Sequence, residues 1–322
     1  MRELMFVQAI NEALREEMRR DPAVFIMGED IRSGVFGATA GLLEEFGPER
    51  VRDTPISETG FVGAAIGAAM SGLRPVVENP ASFMWVAMDQ YVSQAAKNRY
   101  MFGGQARIPA VFRCGFFWGG AIAAQHSDRP WATFMTIPGL KVVLPATPAD
   151  AKGLLKTAIR DDDPVLFFED FSLMPLKGPV PEEEYTIPLG QADVKRAGTD
   201  VTVVALGPMV HRALAAAEQL AGDGISIEVV DPRSLVPMDW PTILGSVAKT
   251  GRAVVVDVAH RTCSAASEIA ATIAEQGFWN LKAPVRRVTS PDVHIPFSPA
   301  LEKLVYPDEA RIVAAVREVL ES

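Results

Sequence analysis

Two residues in this sequence combine a reactive side chain with a setting that could use it. Glu58 stands in DTPISETGFVGAAIGAAMSGLRPVVE, at the start of a predicted helix made almost wholly of small and apolar residues. Such a helix is expected to be buried all round, with Gly60, Gly63 and Gly67 permitting close backbone approach. Its lone carboxylate has two readings. Ser57 or Thr59 caps the helix while Glu58 complements the positive helix end, or Glu58 is a desolvated acid with a raised pKa, poised to donate a proton. His126 stands in AVFRCGFFWGGAIAAQHSDRPWATF, a predicted strand followed by a glycine-rich loop. His211 falls in a helix after a glycine-proline turn, and His260 and His294 fall in loops, so among the four histidines only His126 has this setting. No metal-ligand spacing accompanies it, and on its own residues it reads first as a histidine satisfied by its neighbours.

Other chemistries lack their residues. The chain has no GxSxG, no phosphate-binding GxxxxGK[ST], no HExxH and no GxGxxG after a strand. Gly222-Asp223-Gly224 imitates the opening of a metal-diphosphate motif, but no asparagine follows at the spacing that motif requires, and a helix-ending turn explains it better. Cys114 and Cys263 stand far apart and read as reduced thiols. A net charge of -9 argues against a nucleic-acid surface. The amphipathic, charged start MRELMFVQAINEALREEMRRD lacks the apolar core of a signal peptide, and the longest apolar span, Phe61 to Met70, is too short for a bilayer, so a cytoplasmic protein without membrane contact is expected.

The elements that must hold Glu58 and His126 alternate as helices and short apolar strands, which predicts an α/β fold with mostly parallel sheets flanked by helices. Helices are expected near 7–20, 39–46, 59–72, 84–100 and 148–160, with strands in VFIMGED, RPVVEN, PAVFRC, KVVLPA and PVLFFED. From 171 to 190 the stretch FSLMPLKGPVPEEEYTIPLG holds four prolines and reads as a linker. The boundary near 188 gives a first domain over 1–187 and a smaller one over 188–322, where strands and helices resume.

Taken together, INEALREEMRRD, DTPISE, GAAMSGLRPVVE, FMWVAMDQ, SQAAKNRYMFGG, AAQHSD, IPGLKVVLPATPADAKGLLKTAIRDDDPVLFFE, YTIPLG, DVTVVALG and PVRRV resemble the beta subunits of the pyruvate, branched-chain 2-oxo-acid and acetoin dehydrogenase components, relatives of transketolase. The resemblance spans essentially the whole chain. It implies two transketolase-like α/β domains, a pyrimidine-binding one and a C-terminal-like one. It implies thiamine diphosphate as cofactor, with Glu58 hydrogen-bonding the ring nitrogen of the aminopyrimidine and Phe83, six residues before Asp89, packing against that ring. Phe83 reads equally as core packing on its own. His126 is implied to line the channel of the arriving lipoyl group and to assist proton transfer. A structural potassium ion is implied at backbone carbonyls of Ala110, Ala158, Asp161 and Asp163. The implied partners are an alpha subunit that holds the magnesium-diphosphate, in an assembly of two alpha and two beta chains, and a dihydrolipoyl acyltransferase core with its lipoyl domain; the small-molecule substrate is a 2-oxo acid or acetoin.

Two departures bear on the pocket. Pro80 and Trp85 in ENPASFMWVAMDQ are expected to reshape it beside Phe83, and Asp128 adds a carboxylate two residues after His126, where it would raise that histidine's pKa. A non-catalytic assembly subunit and a split transketolase-like enzyme are the alternatives.

Overall fold

The computed structural model describes residues 1–117 and 119–322. They gather into two compact units: the residues up to Phe117 with Thr133–Leu189, and Gly119–Ala132 with Gly190–Ser322.

In the first unit the chain runs through β1 (Arg2–Met5), α1 (Phe6–Arg20), β2 (Val24–Gly28), α2 (Leu42–Phe46), β3 (Val51–Asp53), α3 (Glu58–Met70) and β4 (Arg74–Glu78). A 3-10 turn (Ala81–Ala87), a π-helical turn (Gln90–Ala95), α4 (Ala96–Met101) and β5 (Val111–Phe116) follow. Beyond residue 130 come α5 (Trp131–Met135), β6 (Lys141–Val143), α6 (Pro148–Arg160), β7 (Val165–Asp170) and β8 (Lys177–Val180). Strands β6, β7, β5, β4, β2 and β3 lie side by side in that order, each neighbouring pair parallel. VFIMG and VLFFED are buried throughout, as strands covered on both faces must be. One cover is the pair α1 and α6, whose Phe6, Ile10, Leu14, Leu154, Leu155 and Ile159 pack into a common core. α6 starts where TPAD predicts, with Pro148 in its first turn and the Thr147 hydroxyl accepting from the Asp150 amide at 3.2 Å. The buried Lys152 and Lys156 reach back to Glu16 on α1 at 2.8 and 2.5 Å, so the two helices are joined by charge as well as by apolar contact.

The second unit holds β9 (Asp193–Arg196), β10 (Val201–Ala205), α7 (Met209–Ala221), β11 (Ile227–Asp231), β12 (Ser234–Val236), α8 (Trp240–Thr250), β13 (Ala253–His260), α9 (Ala265–Gln276), β14 (Arg286–Ser290), α10 (Pro299–Val305) and α11 (Glu309–Glu321). Its sheet has the order β14-β13-β10-β11-β9, parallel except for β9. Gly222 and Gly224 form the turn that ends α7: Gly224 lies at φ +77 and the Ile225 amide donates to the Leu220 carbonyl at 3.1 Å.

Several local expectations need correction. The helix expected over 84–100 is broken into the 3-10, π and α pieces named above, because Trp85 and Val86 are exposed and the apolar run does not trace one buried helical face. The linker expected over 171–190 also contains a strand that was not expected: β8 pairs antiparallel with β1, Arg2 opposite Val180. Nor is α3 buried all round within this chain. Thr59, Gly60, Ala64, Gly67 and Met70 are exposed, and a Cβ at Gly67 would meet nothing within 4 Å. Among the described residues no helix is long and apolar enough to cross a membrane.

Candidate active site

Parallel strands bring their carboxyl ends to one edge of a sheet, where ligands of α/β proteins bind. Here Gly28 of β2 sits in register with Asp53 of β3 and Glu78 of β4. The residues that follow those three are Glu29, Thr54 and Asn79. Each carries a buried polar atom without a hydrogen-bond partner, namely Glu29 Oε1, Thr54 Oγ1 and Asn79 Oδ1. Folded proteins leave few such atoms unsatisfied, so three on adjoining strand ends mark a place where a ligand with both donors and acceptors would fit.

Glu58 opens α3 four residues beyond Thr54 and is only 6% exposed. The capping account fails for both neighbouring hydroxyls: Ser57 makes no side-chain cap, and the Thr59 hydroxyl donates to the Val86 carbonyl at 2.8 Å. Burial, then the negative charges of Glu58 and Asp30, raise the carboxyl pKa of Glu29. A carboxyl whose pKa is raised at a desolvated edge is suited to exchanging a proton with a ligand there. Tyr91 closes the floor. It is fully buried, accepts from Asn79 Nδ2 at 2.8 Å, and packs edge-on against Phe112 and Phe134. Burial pushes its phenol well above the usual range, with Cys114 and Glu58 adding to the effect.

Phe83 is half-buried on the 3-10 turn after β4, its amide on the Pro80 carbonyl at 2.9 Å. The Thr59–Val86 bond ties this turn to α3, so the segments carrying Glu58 and Phe83 are brought together. Trp85 stacks on Phe134 at 6.3 Å between ring centroids, while Pro80 lines a small cavity with Phe36, Glu78, Arg113 and Glu169. The ion cluster beneath that cavity was not anticipated from sequence. Arg113 of β5 is 2% exposed and binds Glu169 of β7 through two nitrogens, both at 2.7 Å, and Glu78 of β4 at 2.5 Å. Burial alone would lower the guanidinium pKa, but the flanking Glu169 and Glu78 more than reverse it; burial in turn raises the Glu169 carboxyl.

His126 belongs to the second unit, not to the unit of Glu58. It ends a short turn, Ala124–His126, with Nδ1 facing the Ile122 carbonyl at 3.2 Å. A carbonyl only accepts, so in this contact Nδ1 is the donor. Asp128, half-buried, lies in the same segment. The four potassium candidates gather at the turn between α6 and β7. Ala110 and Ala158 carbonyls accept the Val165 and Asp161 amides at 3.0 and 3.2 Å. The Asp161 carbonyl accepts from Arg74 at 2.9 Å, and the carboxylates of Asp161 and Asp163 are paired with Lys141, that of Asp163 also with Arg99. Among the described residues no cluster of three or more His, Cys, Asp or Glu side chains could hold a metal ion.

Residues 2–176 match the family described as transketolase, pyrimidine binding domain, and residues 190–312 match transketolase, C-terminal domain. Over 97% of its length the chain is 48% identical to the beta subunit of acetoin:2,6-dichlorophenolindophenol oxidoreductase from Bacillus subtilis, covering 96% of that protein. It is 46% identical to the beta subunit of 2-oxoisovalerate dehydrogenase and 45% identical to that of the pyruvate dehydrogenase E1 component from the same organism, covering 99% and 100% of this chain and the same shares of those proteins. The chain belongs to the family of transketolase-like dehydrogenase beta subunits. Its fold matches a solved split-gene transketolase, described as an inactive beta4 tetramer, with a TM-score of 0.83 at 25% identity over 99% of each chain.

As a transketolase-like beta subunit the chain depends on thiamine diphosphate, and its pyrimidine-binding match contains Glu29, Thr54, Glu58, Asn79 and Phe83. The orphaned polar atoms on the strand ends suit an aminopyrimidine, which offers amino donors and ring-nitrogen acceptors. Glu29, Thr54 and Asn79 escaped the sequence reading. A signal existed for the first, since GED in VFIMGED places an acid directly behind a buried strand.

Proposed function

We propose that this chain is the beta half of a thiamine-diphosphate-dependent dehydrogenase component that takes an acyl group from a 2-oxo acid or acetoin and passes it to a lipoyl domain. The observation that carries the reading is the buried Glu58, at a helix start that neither neighbouring hydroxyl caps, beside the unsatisfied Glu29 and Thr54. When bound, thiamine diphosphate supplies an electron sink for the cleaved carbon bond. Glu58 would hydrogen-bond the aminopyrimidine ring nitrogen, with the raised carboxyl of Glu29 close by, and Phe83 would pack against the ring. His126 would assist the proton transfer that accompanies departure of the acyl group.

In this reading residues 1–187 serve the pyrimidine and 188–322 form the C-terminal-like domain. Magnesium and the diphosphate fall to an alpha chain, because the only GDG here is the turn ending α7. Two alpha and two beta chains then dock on a dihydrolipoyl acyltransferase core in the cytoplasm. The open face of α3, and the inactivity of the split transketolase as a beta4 tetramer, both fit a chain that needs a partner. A structural potassium ion would use the carbonyls of Ala110, Ala158, Asp161 and Asp163, sharing that of Asp161 with Arg74.

The test is Glu58→Gln in the complex reconstituted with its alpha subunit, with dye reduction measured on pyruvate, branched-chain 2-oxo acids and acetoin. Turnover on the preferred substrate should fall by about 10²- to 10⁴-fold, the usual weight of an acid-base group. Near-normal turnover would favour the assembly-subunit alternative, and activity only with aldehyde acceptors would favour a split transketolase.

A further inference from the structure

We propose that Glu302, with Tyr306 and Arg129, is a positioning clamp that fixes the loop carrying His126; the proposal rests on the reading of His126 as the group that serves acyl transfer. The loop, Gly119–Ala132, packs with the second unit although it lies in sequence within the first half of the chain. Two of its residues, Ala121 at φ +51 and Ala123 at φ +66, are non-glycine residues in the left-handed region. Such conformations persist only where the surroundings over-determine them.

The surroundings here are specific. The Ala121 amide donates to Glu302 Oε2 at 3.0 Å, a charge-assisted bond to a side chain that is 2% exposed. The other oxygen, Oε1, accepts from the Tyr306 hydroxyl at 3.3 Å, and that hydroxyl accepts from Arg129 Nη2 at 2.8 Å. The Arg129 guanidinium also lies over the Tyr306 ring, 4.7 Å from its centroid, and donates to the Ser127 carbonyl. One C-terminal segment therefore grips the loop at Ala121 and at Arg129, on either side of the histidine. Between the grips, the His126 ring rests on the Ile122 carbonyl and the Ser127 hydroxyl donates to the Ala123 carbonyl at 2.6 Å. Ile122 is the residue after the gripped amide, so moving Ala121 moves the acceptor that orients the ring.

Glu302 and Tyr306 are thus positioning residues, since they act through the loop. The experiment uses the reconstituted alpha-beta complex with Tyr306→Phe, Glu302→Gln, His126→Ala and the double variant Tyr306→Phe/His126→Ala. Two activities are read: acylation of a lipoyl domain, and reduction of dichlorophenolindophenol, which takes electrons without the lipoyl step. Tyr306→Phe and Glu302→Gln should each lower acylation by about tenfold, the scale of one lost charge-assisted hydrogen bond. Dye reduction should stay within about twofold, because an interaction used only in the second step leaves the first alone. In the His126→Ala background Tyr306→Phe should add nothing.

Equal loss of both activities, or an additive loss in the double variant, would overturn the proposal. Amide exchange across the loop separates this from a failure of the His126 reading. Faster exchange there in Tyr306→Phe, with β10 unchanged, supports the clamp, and unchanged exchange sinks it. Full acylation by His126→Ala would instead remove the role assigned to the histidine, and with it the catalytic purpose of the clamp.

Discussion

Replacing Asp257 by Asn should change how the stability of this protein depends on pH. Asp257 is fully buried near the end of β13, where it accepts from the Ala259 amide at 3.0 Å and from Trp131 Nε1 at 3.5 Å. Burial outweighs those donors and pushes its carboxyl from 3.8 up to about 6. A carboxyl with a raised folded-state pKa binds its proton more tightly folded than unfolded. Its contribution is therefore complete below the unfolded value and is lost as pH rises through the folded one. The shift of roughly two units corresponds to about 3 kcal/mol, nearly all lost between pH 4 and pH 7. Asn cannot ionise, so the variant lacks this slope whatever fixed penalty its altered hydrogen bonding brings. Thermal denaturation of wild type and variant from pH 4 to pH 8 should show the difference moving in the variant's favour by about 3 kcal/mol. For a unit of this size that is roughly 6–12 °C in melting temperature. A difference that stays constant with pH would show that the ionised carboxylate is solvated or paired well enough to carry no penalty, and would refute the argument.

Two further outcomes follow from the first unit. Arg113→Met leaves the buried Glu169 and the half-buried Glu78 without their shared cation and should cost about 3–5 kcal/mol in urea denaturation at pH 8. The deficit should shrink as pH is lowered, because burial raises the Glu169 carboxyl and a protonated acid needs no cation; a deficit that does not change with pH would contradict this. Exchanging potassium for sodium at equal ionic strength should lower the melting temperature by several degrees if the carbonyls at the α6–β7 turn hold potassium, as mass-action stabilisation of about 2–3 kcal/mol requires near a hundredfold excess over Kd. Identical melting in both salts would dismiss the ion.

The parts of the fold that could be read from sequence are those where one local pattern serves one purpose. α1 and α6 keep a regular apolar face and carry their own end signals, so they form over Phe6–Arg20 and Pro148–Arg160, close to the expected spans. The strands β1, β8 and β9 were missed because they are short and half-exposed, and their pairing is set by distant partners rather than by their own composition. The error over α3 has a different cause. A face of Gly and Ala looks the same in sequence whether this chain or another is to cover it, and here this chain does not. In the candidate site Glu58 stood out as a charge among small apolar residues. Glu29, Thr54 and Asn79 are ordinary types at unremarked positions, and their grouping arises only from the register of β2, β3 and β4.

The allegiance of residues 119–132 to the second unit has a practical consequence for anyone recombining these subunits. A chimera joined at a single seam near residue 188 would pair the histidine loop of one parent with the α10 segment of another, and would inherit a mismatched grip at Ala121 and Arg129. Faithful exchange of the second half between relatives of different substrate preference needs three seams, so that the loop travels with the helix that holds it. Natural divergence faces the same constraint: changes in the loop and in α10 must accumulate together, although nearly two hundred positions separate them in the chain.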